Sequence, residues 1–512
     1  VPDPIEDALD AIARSHARGE LPDDASVLVS LRQRGVLDTP GVMERVRGTL
    51  EKFWKVVHDD PAFALGLATA SLVAARERGA PAILRAELHH RRGTALFALA
   101  RAREASFEVE KGLSALREAE RGTAPADPND VARLRAALLG FLGNSRIALG
   151  EIDKACVALE EALFIARKHK LEPAEGIYLS SLGNARTAAG EARAAAGYYE
   201  EALAIARKVG NQRGEAVNLG NLGIAKQALG DLEGALECYE GSLKIAEELE
   251  DRRGAATDRA NMGAVLHDQG ELEAAARRYG EARDAARGLD DKKTEAIALL
   301  GLAALARERG EADEAHGLAR EAQARFETLE DPKGAADALA EAGRSALDRG
   351  DLAGAERSIL GALDAARAVG DKRGIATGLF DLGRVLVAEG KTAEARSKLE
   401  EALAGARDIE DLDVEALVRI AIAETLVSLG DLRGARAALD ASAGRARLRA
   451  RALLRGRYDL ARGLVASAQG QADAARSHFE ACLALARERG FVAIAREAEK
   501  RLAALGPAST TV

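Results

Sequence analysis

Small and large apolar residues along this chain fall into a register with polar ones that repeats every 40 residues. Glycine stands at Gly150, Gly190, Gly230, Gly270, Gly310, Gly350, Gly390, Gly430 and Gly470 without a break. Five residues after each comes alanine, from Ala155 and Ala195 through to Ala475. Seven before each comes a small residue (Gly143, Gly183, Gly223, Gly263, Ala303, Gly343, Gly383, Ala423, Gly463), and twelve after it another, from Ala162 to Cys482. Nine registered copies of a four-position pattern exclude chance and define a repeat, which governs how every element is read. The spaced glycines end one helix and permit the left-handed backbone of a tight turn. An acidic residue often follows, as in Gly230-Asp231-Leu232, and suits the positive end of the next helix. The small residues belong where two antiparallel helices cross closely. Large ones fill the gaps between crossings: Leu142, Leu182, Leu222 and Met262 on the first helix, Leu159, Tyr199, Tyr239, Tyr279 and Phe479 on the second. Each hairpin is then apolar on two sides and needs neighbours above and below, so the pattern predicts an all-α solenoid.

Composition narrows the class of protein further. At 512 residues the chain exceeds one ordinary core, and only 3% of it is aromatic against 30% charged, with 50 glycines and 11 prolines. A net charge of −9 makes nucleic acid an unlikely partner, since phosphate binding wants a basic face. Cys156, Cys238 and Cys482 are odd in number and widely separated, so they build no disulfide framework and fit a reducing compartment. Val1-Pro2-Asp3-Pro4 has neither the basic nor the apolar region of a signal peptide, and no run approaches a membrane span. The expectation is a cytoplasmic protein with no membrane partner, its alanine- and arginine-rich composition of GC-rich, bacterial type.

The small-large pattern resembles the tetratricopeptide repeat (TPR) over residues 129–490, as nine repeats of 40 residues, where the usual period is about 34. Six extra residues lengthen a hairpin's helices by about 9 Å in total. Leu219-Gly220-Asn221-Leu222-Gly223 and Asp251-Arg252-Arg253-Gly254 are most similar to the long-repeat branch, that of kinesin light chains, the GoLoco-binding spindle adaptor and bacterial TPR signalling proteins. The resemblance implies a right-handed superhelix. Residues 1–60 read as an N-terminal helical cap, with apolar spacing near 5–15, 25–34 and 42–57 and Trp54 in its core. Residues 61–128 read as degenerate TPR-like helices, with Gly93, Ala105 and Leu113 in related places and a loop at Gly122–Asn129. Residues 491–512 read as a solvating cap helix and a frayed tail.

No catalytic constellation emerges. Gly390-Lys391-Thr392 mimics the end of a phosphate loop, but Val385 stands where its upstream glycine belongs and no strand precedes it. The eight histidines form no HExxH, His89 and His90 point apart on one helix, and no cysteine has a His and acid partner. Neither a cofactor nor a metal is expected, and the chain reads as a non-enzyme. Seven arginines between Arg445 and Arg462 read first as solvated surface and second as a docking site for an acidic partner. Thr510-Thr511-Val512 matches a PDZ ligand over three residues only.

In TPR superhelices the first helix of each hairpin lines the concave groove, and asparagines there hold an extended peptide by its backbone. The resemblance carries this role to Asn144 and Asn184 at one position and to Asn221 and Asn261 three residues earlier in the hairpin, with Asn218 alongside. Asparagine is a poor helix former, so its recurrence on successive hairpins wants a reason. Farther along, Arg344 and Arg384 take the first position, with Asp268, Glu308 and Asp348 one turn away. The expected function is a protein-interaction scaffold or adaptor that binds an extended or helical segment of a partner. The alternative is a peptide- or protein-sensing receptor controlling a separate kinase, transcription activator or caspase-like protease.

Overall fold

The computed structural model describes residues 3–121, 127–443 and 451–505, all of whose regular structure is helical. Two compact units divide the chain, residues 1–225 and 226–512. The first begins with α1 (Pro4–Ala17), α2 (Asp24–Gln33) and α3 (Val42–Val56), which pack around α4 (Pro61–Glu77). Leu9, Ile12, Val27, Leu31 and Val46 close on Leu67 and Leu72, so α4 is apolar on every side because every side is covered. Trp54 is not part of that core. It is 45% exposed, with the Arg91 guanidinium 4.5 Å above its ring, and its neighbour Phe53 takes the buried place. One residue of rotation on α3 decides which ring is covered.

Paired helices follow: α5 (Ala82–Ala98) with α6 (Ala102–Arg121), α7 (Pro128–Ala148) with α8 (Ile152–Lys168), and α9 (Glu172–Ala188) with α10 (Ala192–Lys208). Most of α11 (Gln212–Leu229) completes the first unit. The expected loop at 122–129 lies largely outside the described residues, and α7 starts inside it at Pro128. The second unit contains α12 (Leu232–Glu248) and then hairpins α13 (Arg252–Gln269)/α14 (Leu272–Gly288), α15 (Lys292–Glu308)/α16 (Ala312–Thr328) and α17 (Pro332–Asp348)/α18 (Leu352–Val369). After these come α19 (Lys372–Ala388)/α20 (Thr392–Asp408), α21 (Leu412–Ser428)/α22 (Leu432–Ala443), α23 (Ala452–Ala468)/α24 (Ala472–Arg489) and the single helix α25 (Val492–Ala504).

Within a hairpin the large residue of the second helix does not sit between crossings, as its spacing suggests, but directly on the small residue of the first. A Cβ added to Gly143 would lie 2.4 Å from Leu159, one on Gly183 2.5 Å from Tyr199, and one on Gly463 2.3 Å from Phe479. Tyr279 is wedged between Gly263 of its own hairpin and Gly301 of the next. Where the first helix carries Ala303, the facing residue shrinks to Ala319. Each ring or branched chain thus fills a hole that only a missing side chain leaves.

Two turns build the 40-residue period, and both are left-handed. Gly150 through Gly470 turn the chain between the helices of a hairpin at φ of 73° to 83°. Between hairpins the same conformation falls on Lys170, Gly210, Glu250, Asp290, Glu330, Gly370 and Glu410, again 40 residues apart. Aspartate after a turn caps the next helix, Asp231 accepting from the Gly234 N–H and Asp351 from the Gly354 N–H. Glu151, Glu191, Glu271 and Glu311 at equivalent places make no such bond, being one methylene too long.

The second unit closes on itself. Its first helices α13, α15, α17, α19, α21 and α23 touch in succession, and α23 returns to touch α13. The seam is apolar at its centre, with Phe491 and Ile494 of the C-terminal segment clustering with Leu272, Tyr279 and Leu305. Arg451 bridges Asp268 and Asp413 at 2.5 and 2.8 Å, and Arg489 pairs with Glu271. The terminal helix is therefore more than a solvating cap. Phe491 lies under the Gly270 turn, five hairpins upstream in the array.

Candidate binding site

First helices of the first unit touch one another from α5 to α7 to α9, whereas no contact between its second helices is comparable. Their free faces therefore lie on the inner side of the curve. Asn184 on α9 and Asn221 on α11 meet there: the Asn221 amide donates to Asn184 Oδ1 at 3.3 Å, and the Tyr199 hydroxyl donates to the same oxygen at 2.8 Å. Thr187 steadies that hydroxyl at 3.0 Å. With its oxygen taken twice, Asn184 keeps a free NH₂, while Asn221 keeps a free carbonyl oxygen. The pair presents one donor and one acceptor, as a peptide bond requires. Exposed Ile177, Val217 and Ile224 flank it at helical spacing on the same two helices. A groove of about 300 Å³ between α9, α10 and α11 is lined by Ile177, Ser181, Ile205, Val209 and Val217. These apolar contributors were not singled out from sequence, although all three flanking residues lie three, four or seven positions from an asparagine.

Asn144 takes the place of Asn184 one hairpin earlier, half-buried and without a hydrogen bond among the described residues. Asn218 turns inward. It is 5% exposed and donates to the Gly214 carbonyl at 2.8 Å, which leaves its own oxygen buried and unbonded at the floor of the groove.

In the second unit Asn261 is half-buried and forms no hydrogen bond among the described residues, and beyond it the inner face becomes ionic. Arg344 is held between Glu341 and Asp381, its Nε 2.8 Å from Asp381. Arg307 joins the same Glu341 at 2.6 Å and reaches Asp348 at 3.8 Å. Burial opposes the charge on Glu341, but the two guanidiniums win and bring it down to about 2. His267 contacts Glu308 at 3.0 Å, and that carboxylate outweighs burial to raise the imidazole above its ordinary value. Arg384 is held loosely, 3.9 Å from Asp381 and 4.0 Å from Asp348. Arg344 is thus saturated by its own chain, whereas Arg384 retains donors.

The arginine run divides. Arg445, Arg447 and Arg449 lie outside the described residues, as does the tail 506–512 with its Thr510-Thr511-Val512. Arg451 belongs to the ring seam, Arg455 pairs with Asp459 at 2.8 Å, and Arg457 is half-buried, its guanidinium pressed down to about 10 by burial and then by Arg384 and Arg307. Elsewhere His89 and Glu108 form a buried pair at 2.6 Å, and His90 packs on Phe141 instead. Cys156, Cys238 and Cys482 are buried thiols, and burial pushes Cys482 up to about 12, which makes it a poor nucleophile. Among the described residues no group of His, Cys, Asp and Glu could hold a metal, and no helix is long and apolar enough to cross a membrane.

The family models agree with this geometry. Two models, each described as tetratricopeptide repeat, match residues 179–213 and 214–288. No curated protein matches the chain. Among solved structures, a Rap protein complexed with competence and sporulation factor is 16% identical over 73% of this chain and 99% of its own, with a TM-score of 0.48. The apo quorum sensor NprR from B. thuringiensis is 16% identical over 66% and 94%, at 0.47. A putative kinesin light chain from Podosopora anserina with nearly identical TPR-like repeats is 19% identical over 41% and 98%, at 0.33. Residues 179–288 of this chain match the tetratricopeptide repeat, and the hairpins on either side keep the same 40-residue register. Arrays of this repeat expose extended inner surfaces of the kind that protein-interaction modules use.

Proposed function

We propose that the chain is a non-catalytic cytoplasmic adaptor whose first-helix face holds an extended or helical segment of a partner protein. The observation that carries this is the joined pair Asn184–Asn221, with a free donor and a free acceptor between exposed Ile177, Val217 and Ile224. A peptide laid there exposes N–H and C=O groups that need partners once water leaves, and a side-chain amide serves a backbone of any sequence. The flanking apolar residues add selectivity for apolar side chains. Asn144 and Asn261 extend the amide positions within their own units. A sensing role is the second reading, favoured by the closed ring of the second unit, whose seam gives a ligand something to open or lock.

The test is to select tight binders from a displayed random-peptide library and compare their affinity for the wild type and for a variant with Asn144, Asn184 and Asn221 changed to alanine. At about 0.5–1.5 kcal/mol per lost bond, the variant should bind roughly 10-fold more weakly or worse, with its helical circular dichroism intact. Equal affinity in a folded variant would remove the asparagines from the interface.

A further inference from the structure

A cavity of about 320 Å³ opens where α16, the end of α17 and the start of α18 meet in the second unit. Two second helices flank it, so it is separate from the face that the first helices form. Three arginines line it, Arg320, Arg349 and Arg357, together with His316, Ser358 and a single carboxylate, Asp351. Arg349 is shared with Asp313 across 3.1 Å. Arg320 and Arg357 form no ion pair with any described residue, in a chain whose net charge is −9. Arg320 reaches only the Gln323 side-chain oxygen at 2.7 Å. Arg357 spends its Nε on the Ala353 carbonyl of its own helix at 3.3 Å, which leaves its terminal nitrogens to donate elsewhere.

The acceptors of the cavity are equally defined. A carbonyl can only accept, so His316 Nδ1 donates to Ala342 at 3.1 Å, and in the neutral ring Nε2 is left as an acceptor. Asp351 Oδ1 takes the Gly354 N–H at 2.9 Å, and Oδ2 stays able to accept. The Ala346 carbonyl at the end of α17 already takes the Asp351 N–H at 2.9 Å. The repeat does not ask for the charges: forty residues before Arg320 and Arg357 stand Gly280 and Gly317, and forty after stand Leu360 and Ser397. Both arginines are exposed, so no packing demand fixes them either.

Like-charged guanidiniums around one small cavity repel one another until an anion comes between them. A carboxylate brings one charge and two oxygens, which a single guanidinium satisfies with its two parallel N–H groups. Three guanidiniums and a hydroxyl exceed that demand and match the two charges and three terminal oxygens of a phosphate ester. The acceptors His316 Nε2 and Asp351 Oδ2 would repel a bare anion but suit hydroxyl groups beside it. The volume falls at the lower end of the roughly 300–1,000 Å³ typical of small-molecule sites, and no Phe, Tyr or Trp lines it for a nucleobase to stack on.

We propose that this cavity binds the phosphate monoester of a small polyol, its phosphate seated on Arg320, Arg357 and Arg349 and its hydroxyls donating to His316 Nε2 and Asp351. The site lies within the second unit and does not depend on the amide face of the first, so either can fail without the other.

The full chain is titrated by calorimetry and thermal shift at constant ionic strength and about pH 8, where a phosphate ester with a second pKa near 6 is a dianion. The probes are glycerol 3-phosphate, glucose 6-phosphate, inorganic phosphate and acetate. At least one ester should bind saturably, with inorganic phosphate at least threefold weaker and acetate weaker still. Arg320→Gln and Arg357→Gln should each weaken that ester at least fivefold, with Arg357→Lys between wild type and Arg357→Gln, because it keeps the charge and loses the fork. Arg277, on α14, shares the register of Arg357 but lies outside the cavity, so Arg277→Gln should bind as the wild type does. Absence of saturable binding by both esters, inorganic phosphate or acetate binding as tightly as the ester, undiminished binding in variants that keep their helical circular dichroism, or an equal loss in Arg277→Gln would each overturn the proposal.

Discussion

Gly183 and Tyr199 show how much of the packing one missing side chain controls. A methyl group on Gly183 would fall 2.5 Å from the Tyr199 ring, so Gly183→Ala must displace a buried aromatic and should cost about 1–3 kcal/mol. In a Tyr199→Ala background the same change should cost almost nothing, because the ring it strikes is gone. Equal costs in both backgrounds, measured by urea unfolding, would contradict the knob-in-hole reading. The small-residue positions were legible because only tiny side chains recur at them. What each met was not, since spacing along two helices leaves their mutual rotation open. Asp258 supplies a second test at this scale. It is buried near Ser242 and Tyr239, and burial raises its carboxyl to about 6 from an ordinary value near 3.8. The folded state therefore holds this proton longer than the unfolded state, and stability falls as pH rises from about 4 to about 6. Asp258→Asn should erase that fall and make the protein more stable at pH 7 by on the order of 2 kcal/mol. A variant with the wild-type pH profile and no gain at pH 7 would refute the assignment.

At the scale of elements, the turn within each hairpin announced itself through nine glycines, whereas the turn between hairpins did not, although its backbone is the same. Lys170, Glu250, Asp290, Glu330 and Glu410 adopt φ of 51° to 55° without being glycine, so identity hides a conformation that geometry repeats. An L-residue there costs about 1 kcal/mol, partly offset by the extra freedom glycine gains when unfolded. Glu250→Gly, Asp290→Gly and Glu330→Gly together should raise stability by roughly 1–2 kcal/mol, and a loss would show that these side chains contribute more than their strain costs. The helix α25 was legible as a helix but not as a seam. Its partner across Gly270 lies about 220 residues earlier, and a 40-residue period relates only nearest neighbours. Phe491→Ala should cost about 3–5 kcal/mol and render the α24–α25 region protease-sensitive, whereas an independent solvating cap would lose little.

Across the whole molecule, the all-α class followed from the pattern, because a solenoid writes its architecture as periodicity. The site was legible in part. Positions 144, 184, 344 and 384 form one inner register, to which Glu424 also belongs by the same count of 40. Arg457 shares the register of Ile177 and Val217, and it is half-buried although its sequence neighbours suggested a surface run. Which of these groups are spent on one another could not be counted in advance, since Arg344 is paired from α17 and α19 together while Arg457 makes no ion pair with a described residue. The central claim is that the first-helix face receives the partner. It is tested most directly by placing a photo-crosslinking residue at Ile177 or Val217 on that face, and at Val157 or Phe164 on an exposed second-helix face of the same unit. With a selected peptide bound, positions 177 and 217 should crosslink and positions 157 and 164 should not. Crosslinking confined to 157 and 164 would put the partner on the outer face and contradict the account.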